Sequence, residues 1–195
     1  MLNKIILTDV DGVLLEWEDH FKKWMHSKGY KELKNTNTEY DMSVRYGIHK
    51  DNGSELIREF NKSAWMATQS PMPDSQTWVK LLHAEGWTFI PITSQTSDVP
   101  AQRLRKKRLE ELFGDTVFAN YFILETGDHK DSALAEFHNT GLWWIEDKWS
   151  NAIKGLEYGL KPLLYNHIYN QGLTHEHIVR VNNWQQIYKI ITKRI

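Results

Sequence analysis

Along most of the chain, short apolar runs alternate with longer stretches whose apolar positions recur every three or four residues. The short runs predict strands at residues 4–9, 87–93, 121–124, 141–146 and 161–165, with a brief last one at 177–181. The longer stretches predict helices at 74–85, 99–113, 130–137, 150–158 and 184–192. Asp74 and Ser150 stand where N-caps belong, and Gly86, Gly114 and Gly159 where helices should stop. This rhythm predicts an α/β protein with a Rossmann-like parallel sheet flanked by helices. Trp143 and Trp144, adjacent on one strand, should face opposite sides of that sheet.

One region breaks the rhythm. Between Leu15 and Ser70 no buried strand is evident, only helical pieces rich in aromatic and charged residues. Trp17, Phe21 and Trp24 share one helical face, and 54–60 and 61–66 read as further short helices. The stiff segment Ser70-Pro71-Met72-Pro73 closes the region. The expected organisation is therefore a core of residues 1–14 and 71–195 with a small helical cap, 15–70, inserted after the first strand. Such an insertion hangs over the carboxyl edge of the sheet, where open α/β folds bind ligands.

Composition narrows the function. A chain of 195 residues, 41% hydrophobic and 25% charged, suits one domain plus a small insert rather than a disordered or membrane protein. With 24 basic against 25 acidic side chains, bulk charge draws it to no polyanion or membrane. The absence of cysteine removes disulfides, thiolate metal sites and a thiol nucleophile. The first apolar run meets Asp9 too early for a signal peptide, so a cytoplasmic location is expected. The basic run Arg103, Arg105, Lys106, Lys107 and Arg108 is read as the solvated face of a helix whose core stripe is Leu104, Leu109, Leu112 and Phe113, which makes a nucleic-acid partner unlikely. His175-Glu176-His177 is read as a surface loop.

The chemistry lies at strand ends. Asp9-Val10-Asp11-Gly12 follows the first strand directly, and Glu146-Asp147 follows another. Either pair alone reads as an ordinary turn. Parallel strands, however, bring both pairs to one edge, where two like charges ~4 Å apart repel by roughly 4 kcal/mol at an effective dielectric of ~20. An oxygen-rich cluster of this kind suits Mg²⁺. Thr93 and Ser94 end a third strand with hydroxyls able to hold a phosphate oxygen, and Lys130 opens a helix where an anion is favoured.

Asp9-x-Asp11, then Thr93, then Lys130, then Glu146-Asp147 resembles, in order and over nearly the whole chain, the four motifs of the haloacid dehalogenase-like (HAD) phosphohydrolase superfamily. The resemblance implies a Mg²⁺-dependent phosphatase in which Asp9 attacks phosphorus and Asp11 acts as general acid, then base. It implies that Thr93, Ser94 and Lys130 bind the phosphoryl group. Asp9, Asp11 (through its carbonyl) and Asp147 would ligate the metal, with Glu146 a further ligand or a water orienter. An acid at Asp11 points to phosphate rather than halide chemistry. Ile145-Glu146-Asp147-Lys148, Asn151, Leu163 to Asn170 and the tail Val181 to Tyr188 are similar to the 5'(3')-deoxyribonucleotidase branch, as is a cap after the first motif. The expected partner is a small phosphorylated substrate, foremost a (deoxy)nucleoside monophosphate. Open alternatives are another metabolite phosphate, a nucleic-acid end, or a silent binding domain of the same fold. A small cap cannot bury all its rings, so Trp17, Phe21 and Tyr46 are the candidates for stacking on a base, Phe21 first. Pro91, inside the strand leading to Thr93, predicts a bulge or a local loss of hydrogen bonding.

Overall fold

The computed structural model describes residues 4–194, so the expected core's ends at 1–3 and 195 lie outside the described residues. Six parallel strands form one sheet in the order β3-β2-β1-β4-β5-β6. They are β1 (Ile5–Thr8), β2 (Thr88–Ser94), β3 (Phe122–Leu124), β4 (Trp143–Glu146), β5 (Lys161–Tyr165) and β6 (Val179–Val181). β1 lies between β2 and β4, so strand order reverses beside it and a crevice opens at its carboxyl end.

Alternate side chains along each strand feed two cores. Ile6, Phe89, Ile145 and Leu163 pack with α4 (Ser75–Ala84), α5 (Val99–Phe113) and α8 (Trp184–Thr192). Leu7, Ile90, Ile92 and Trp144 pack on the other face, against α6 (Asp131–Ala135) and beside α7 (Trp149–Glu157). Trp143 and Trp144 part to the two faces as expected. Trp144 is fully buried and needs Gly155 on α7, because any Cβ there would overlap its ring.

Pro91 sits in register opposite Thr8 without breaking the β1–β2 ladder. The Phe89 N–H and C=O point toward β3's side, to Val117 and Ala119. By strand periodicity the missing N–H of Pro91 faces the same way. It falls between the Phe89–Phe118 bridge and the ladder that begins at Ile92, so the hydrogen bonding is lost there locally.

Of the two expected caps, one is corrected and the other holds by position. Ser150 lies inside the first turn of α7, whose N-cap is Lys148, because the Glu146 carboxylate accepts the Asp147 and Lys148 N–H groups. Asp74 is the N-cap residue of α4, but its carboxylate accepts from the Trp184 and Gln185 N–H groups and so serves the start of α8. α6 is shorter than expected, with Phe137 packing beyond its end.

The insertion leaves and returns side by side. Leu15 bridges Pro71 antiparallel, and the Glu16 N–H donates to the Ser70 carbonyl. Within it lie α1 (Trp17–Ser27), α2 (Met42–Tyr46), α3 (Lys50–Lys62) and a 3₁₀ turn at Ala64–Ala67. α3 is one helix through the break expected at residue 60. Phe21, Trp24, Met25, Tyr46, Phe60 and Met66 form the insertion's own core.

Candidate active site

β1 delivers Asp9 to the crevice, where the Asp9 N–H bonds to the Ile145 carbonyl of β4 at 2.8 Å. That bond sets the two acidic pairs side by side. Ligand oxygens of Asp9, Glu146 and Asp147 all lie within 4.8 Å of one another, and all three residues are buried. Lys130, at the N-terminus of α6 and 4% exposed, reaches between them. Its Nζ lies 2.6 Å from Asp9 Oδ2 and 2.9 Å from Glu146 Oε2.

Three carboxylates against one ammonium leave two negative charges uncompensated in a buried site. Burial, reinforced by Glu146, holds the Asp9 carboxyl well above its usual range despite Lys130. Burial and then Asp9 push Asp147 up to about 6, and burial raises Glu146. Burial alone would lower Lys130, but the charges of Asp9 and Glu146 outweigh it and raise the ammonium. Carboxylates crowded this closely in a buried site resist ionising together.

The members differ in freedom. Glu146 Oε1 accepts the Asp147 and Lys148 N–H groups, and Oε2 accepts Lys130 and Asn151. Its two oxygens thus each accept two donors, while one of them still lies within 4.8 Å of ligand oxygens of Asp9 and Asp147. Asp147 Oδ2 accepts only the Tyr169 hydroxyl, while its carbonyl accepts from Asn170. Gly12 (φ 75°) lets the chain turn against Asp147, where a Cβ would collide with the carboxylate. Its carbonyl accepts from His167 Nε2 at 2.7 Å, which fixes that tautomer, and His167 stacks on Tyr169.

Asp9, Gly12, Lys130, Asp147, His167 and Tyr169 line a cavity of about 700 Å³. Thr93 lines it with a fully buried hydroxyl that has no hydrogen-bond partner among the described residues, while Ser94 donates its own to the Asp128 carbonyl. Of the three rings expected at substrate, Trp17 lines the cavity. Phe21 and Tyr46 do not. Phe21 is 1% exposed and packed by Trp17, Trp24, Tyr46 and Phe60, so both rings belong to the insertion's core. The aromatic wall is instead completed by Tyr40, from the α1–α2 loop, set edge-on to Tyr169 at 5.3 Å.

Asp11 points to a partner absent from the expected set. Arg105 of α5, fully buried, binds its carboxylate, Nη1 to Oδ1 closely and Nη2 to Oδ2 at 3.4 Å. The reading of Arg105 as part of a solvated basic face is therefore corrected. The signal was present in the spacing: Ala101, Arg105, Leu109 and Leu112 share one buried helix face. Tyr40, His167 and Tyr169 carried no such signal, since only the folded loops bring them to β1.

The six-stranded parallel order matches the fold of solved structures that include a HAD-superfamily hydrolase. No family model matches the chain. A nucleotidase of Clostridium acetobutylicum is 25% identical over 197 residues, covering 96% of this chain and 93% of that protein. Among solved structures, one described as a predicted phosphatase from Clostridium acetobutylicum aligns with a TM-score of 0.69 at 15% identity, over 97% of this chain and 98% of that one. A HAD-superfamily hydrolase from Ehrlichia chaffeensis aligns with a TM-score of 0.56 at 15% identity, over 98% and 96%. Among the described residues, no helix is long and apolar enough to cross a membrane.

Proposed function

We propose that this chain is a Mg²⁺-dependent phosphatase of the HAD type, acting on a nucleoside monophosphate, with residues 15–70 as a cap domain. The observation that carries the reading is the meeting of Asp9, Lys130 and Asp147 on one cavity floor, with Glu146 buried behind them, so that three carboxylates crowd one ammonium. The donor set is all oxygen, which fits a hard divalent cation. Asp9 and Asp147, with the Asp11 carbonyl, would hold Mg²⁺, which when bound offsets charge on the transferring phosphoryl group. Lys130 holds the Asp9 carboxylate in one rotamer and supplies positive charge beside it. The orphaned Thr93 hydroxyl is a donor awaiting an acceptor, as a phosphate oxygen would be.

In this reading an Asp9 oxygen forms a bond to phosphorus as the ester P–O bond breaks, and Asp11 gives its proton to the leaving oxygen. Water then attacks phosphorus and gives a proton to Asp11, and the Asp9–phosphorus bond breaks. The nucleotide is supported by the aromatic wall of Trp17, Tyr40 and Tyr169 and by the nucleotidase relative.

The test is phosphate release from a panel of nucleoside monophosphates and sugar phosphates, with and without Mg²⁺. The expected result is Mg²⁺-dependent release, greatest for a nucleotide, and its abolition in Asp9→Asn with the fold intact. Residual turnover in that variant would sink the mechanism. A sugar phosphate as best substrate would leave the chemistry and remove the nucleotide.

A further inference from the structure

We propose that Arg105 is a positioning residue for proton transfer: it clamps one oxygen of Asp11 and thereby aims the other at the leaving group. The inference rests on the phosphatase reading above and assigns a part to a residue that reading does not use.

A guanidinium with no exposed surface, on a helix outside the catalytic loops, is costly to bury without a purpose. Its only ion-pair partner among the described residues is Asp11. The contact is unequal: Nη1 grips Oδ1, whereas Nη2 stands 3.4 Å from Oδ2 and 3.3 Å from Met66 Sδ of the insertion. Oδ2 is therefore the less encumbered oxygen. Asp11 keeps 22% of its side chain exposed and lines the cavity, so the pair joins a fixed buried end to an open reactive one. An aspartate at a chain turn has free rotamers, and proton transfer needs its oxygen within hydrogen-bond reach of the leaving oxygen. In the first step the O–H on Oδ2 goes to the leaving oxygen as the ester bond breaks. In the second, Oδ2 takes a proton from the attacking water and the starting state returns. Arg105 keeps all its protons throughout and touches no reacting atom.

A merely structural tie between α5, the insertion and β1 would act on every substrate alike. A positioning role depends on the leaving group, because an alkoxide needs a proton and p-nitrophenolate hardly does. The experiment compares the full-length wild type with Arg105→Met and Arg105→Lys on a nucleoside monophosphate and on p-nitrophenyl phosphate, with Mg²⁺ present and melting curves recorded. For Arg105→Met, kcat on the alkyl ester should fall by about thirtyfold or more and by only a few-fold on the aryl ester, with KM little changed. Arg105→Lys, which keeps charge but not the fork, should recover the alkyl rate in part. If Arg105→Met does not fold, Arg105→Lys carries the same comparison. Asp11→Asn should show the same leaving-group pattern, and adding Arg105→Met to it should cost little more. Equal losses on both esters, or losses that multiply with Asp11→Asn, would overturn the inference while leaving the phosphatase intact. A wild type that hydrolyses neither ester overturns the phosphatase reading first, and the inference with it.

Discussion

At the scale of single residues, the site is governed by unbalanced charge. Among the described residues, Lys130 is the one cation that pairs with this carboxylate cluster, and it pairs with Asp9 and Glu146. Among the described residues the Asp147 carboxylate meets a phenol and no cation within ion-pair distance, so it is the carboxylate most in need of a second cation. Mg²⁺ should therefore raise the melting temperature, by about 5–10 °C at ~100 times its dissociation constant, since such binding stabilises by roughly 2.7 kcal/mol. Asp147→Asn should remove most of that rise. The increment should also shrink as pH falls through about 6, where the raised Asp147 carboxyl takes up a proton that competes with the ion. Thermal melts with and without Mg²⁺ between pH 5 and pH 8, over windows set by that carboxyl, check both signs. An increment independent of pH and of Asp147 would place the ion elsewhere. The positions of the acidic pairs and Thr93 were legible from sequence because strand ends announce themselves by an apolar run followed by polar residues, and that of Lys130 because a helix begins there. Arg105 was hidden by its neighbours: Lys106, Lys107 and Arg108 made it look like one more solvated cation, though its face is shared with Leu109.

At the scale of elements, the strands of the core were readable to within a residue or two, because a parallel strand buried on both faces is an apolar run with little ambiguity. The insertion was readable as helical but not in detail. α2 is only five residues long, capped by Asp41 and ended by Gly47 in the left-handed region, too short to show periodicity. A helical stripe also does not say which of its rings face inward, and this is where Phe21 was misplaced. It sits at the middle of an aromatic cluster, 4.8 Å from Trp17 and 5.3 Å from Phe60 between ring centroids. Phe21→Ala should open a cavity there and cost about 3–5 kcal/mol of stability. Turnover should then fall alike for every phosphate ester, as the insertion loosens over the site. Melting curves together with rates on two unlike esters measure this. A variant of normal stability that loses only nucleotide turnover would return Phe21 to the binding surface.

At the scale of the whole molecule, selectivity has to come from how the insertion is held over the sheet. In the proposed function the floor formed by Asp9, Lys130 and Asp147 meets only the phosphate and the leaving oxygen, and cannot tell a base from a sugar. The insertion is tied at its root by the Leu15–Pro71 bridge. It is tied again across the cavity by Asn61, whose Nδ2 donates to the Gln95 carbonyl beyond β2 at 3.0 Å. The same Asn61 accepts from Trp17 Nε1 at 2.9 Å, so one side chain fixes both the insertion and the indole. Opposite stands Tyr40, half exposed and edge-on to Tyr169, which in turn is bonded to Asp147. Two rings from the insertion thus flank one cavity at positions fixed relative to the carboxylates. A base stacked on either would contribute roughly 1–3 kcal/mol. Trp17→Ala and Tyr40→Ala should therefore each lower kcat/KM for a nucleoside monophosphate about tenfold, at ~1.4 kcal/mol per factor of ten, and leave glycerol phosphate within a few-fold. Tyr40 is the cleaner test, because it lies outside the insertion's core and its removal should barely move the melting temperature. Equal losses on both esters would mean that the rings only hold the insertion in place, and the preference for a base would lose its physical ground.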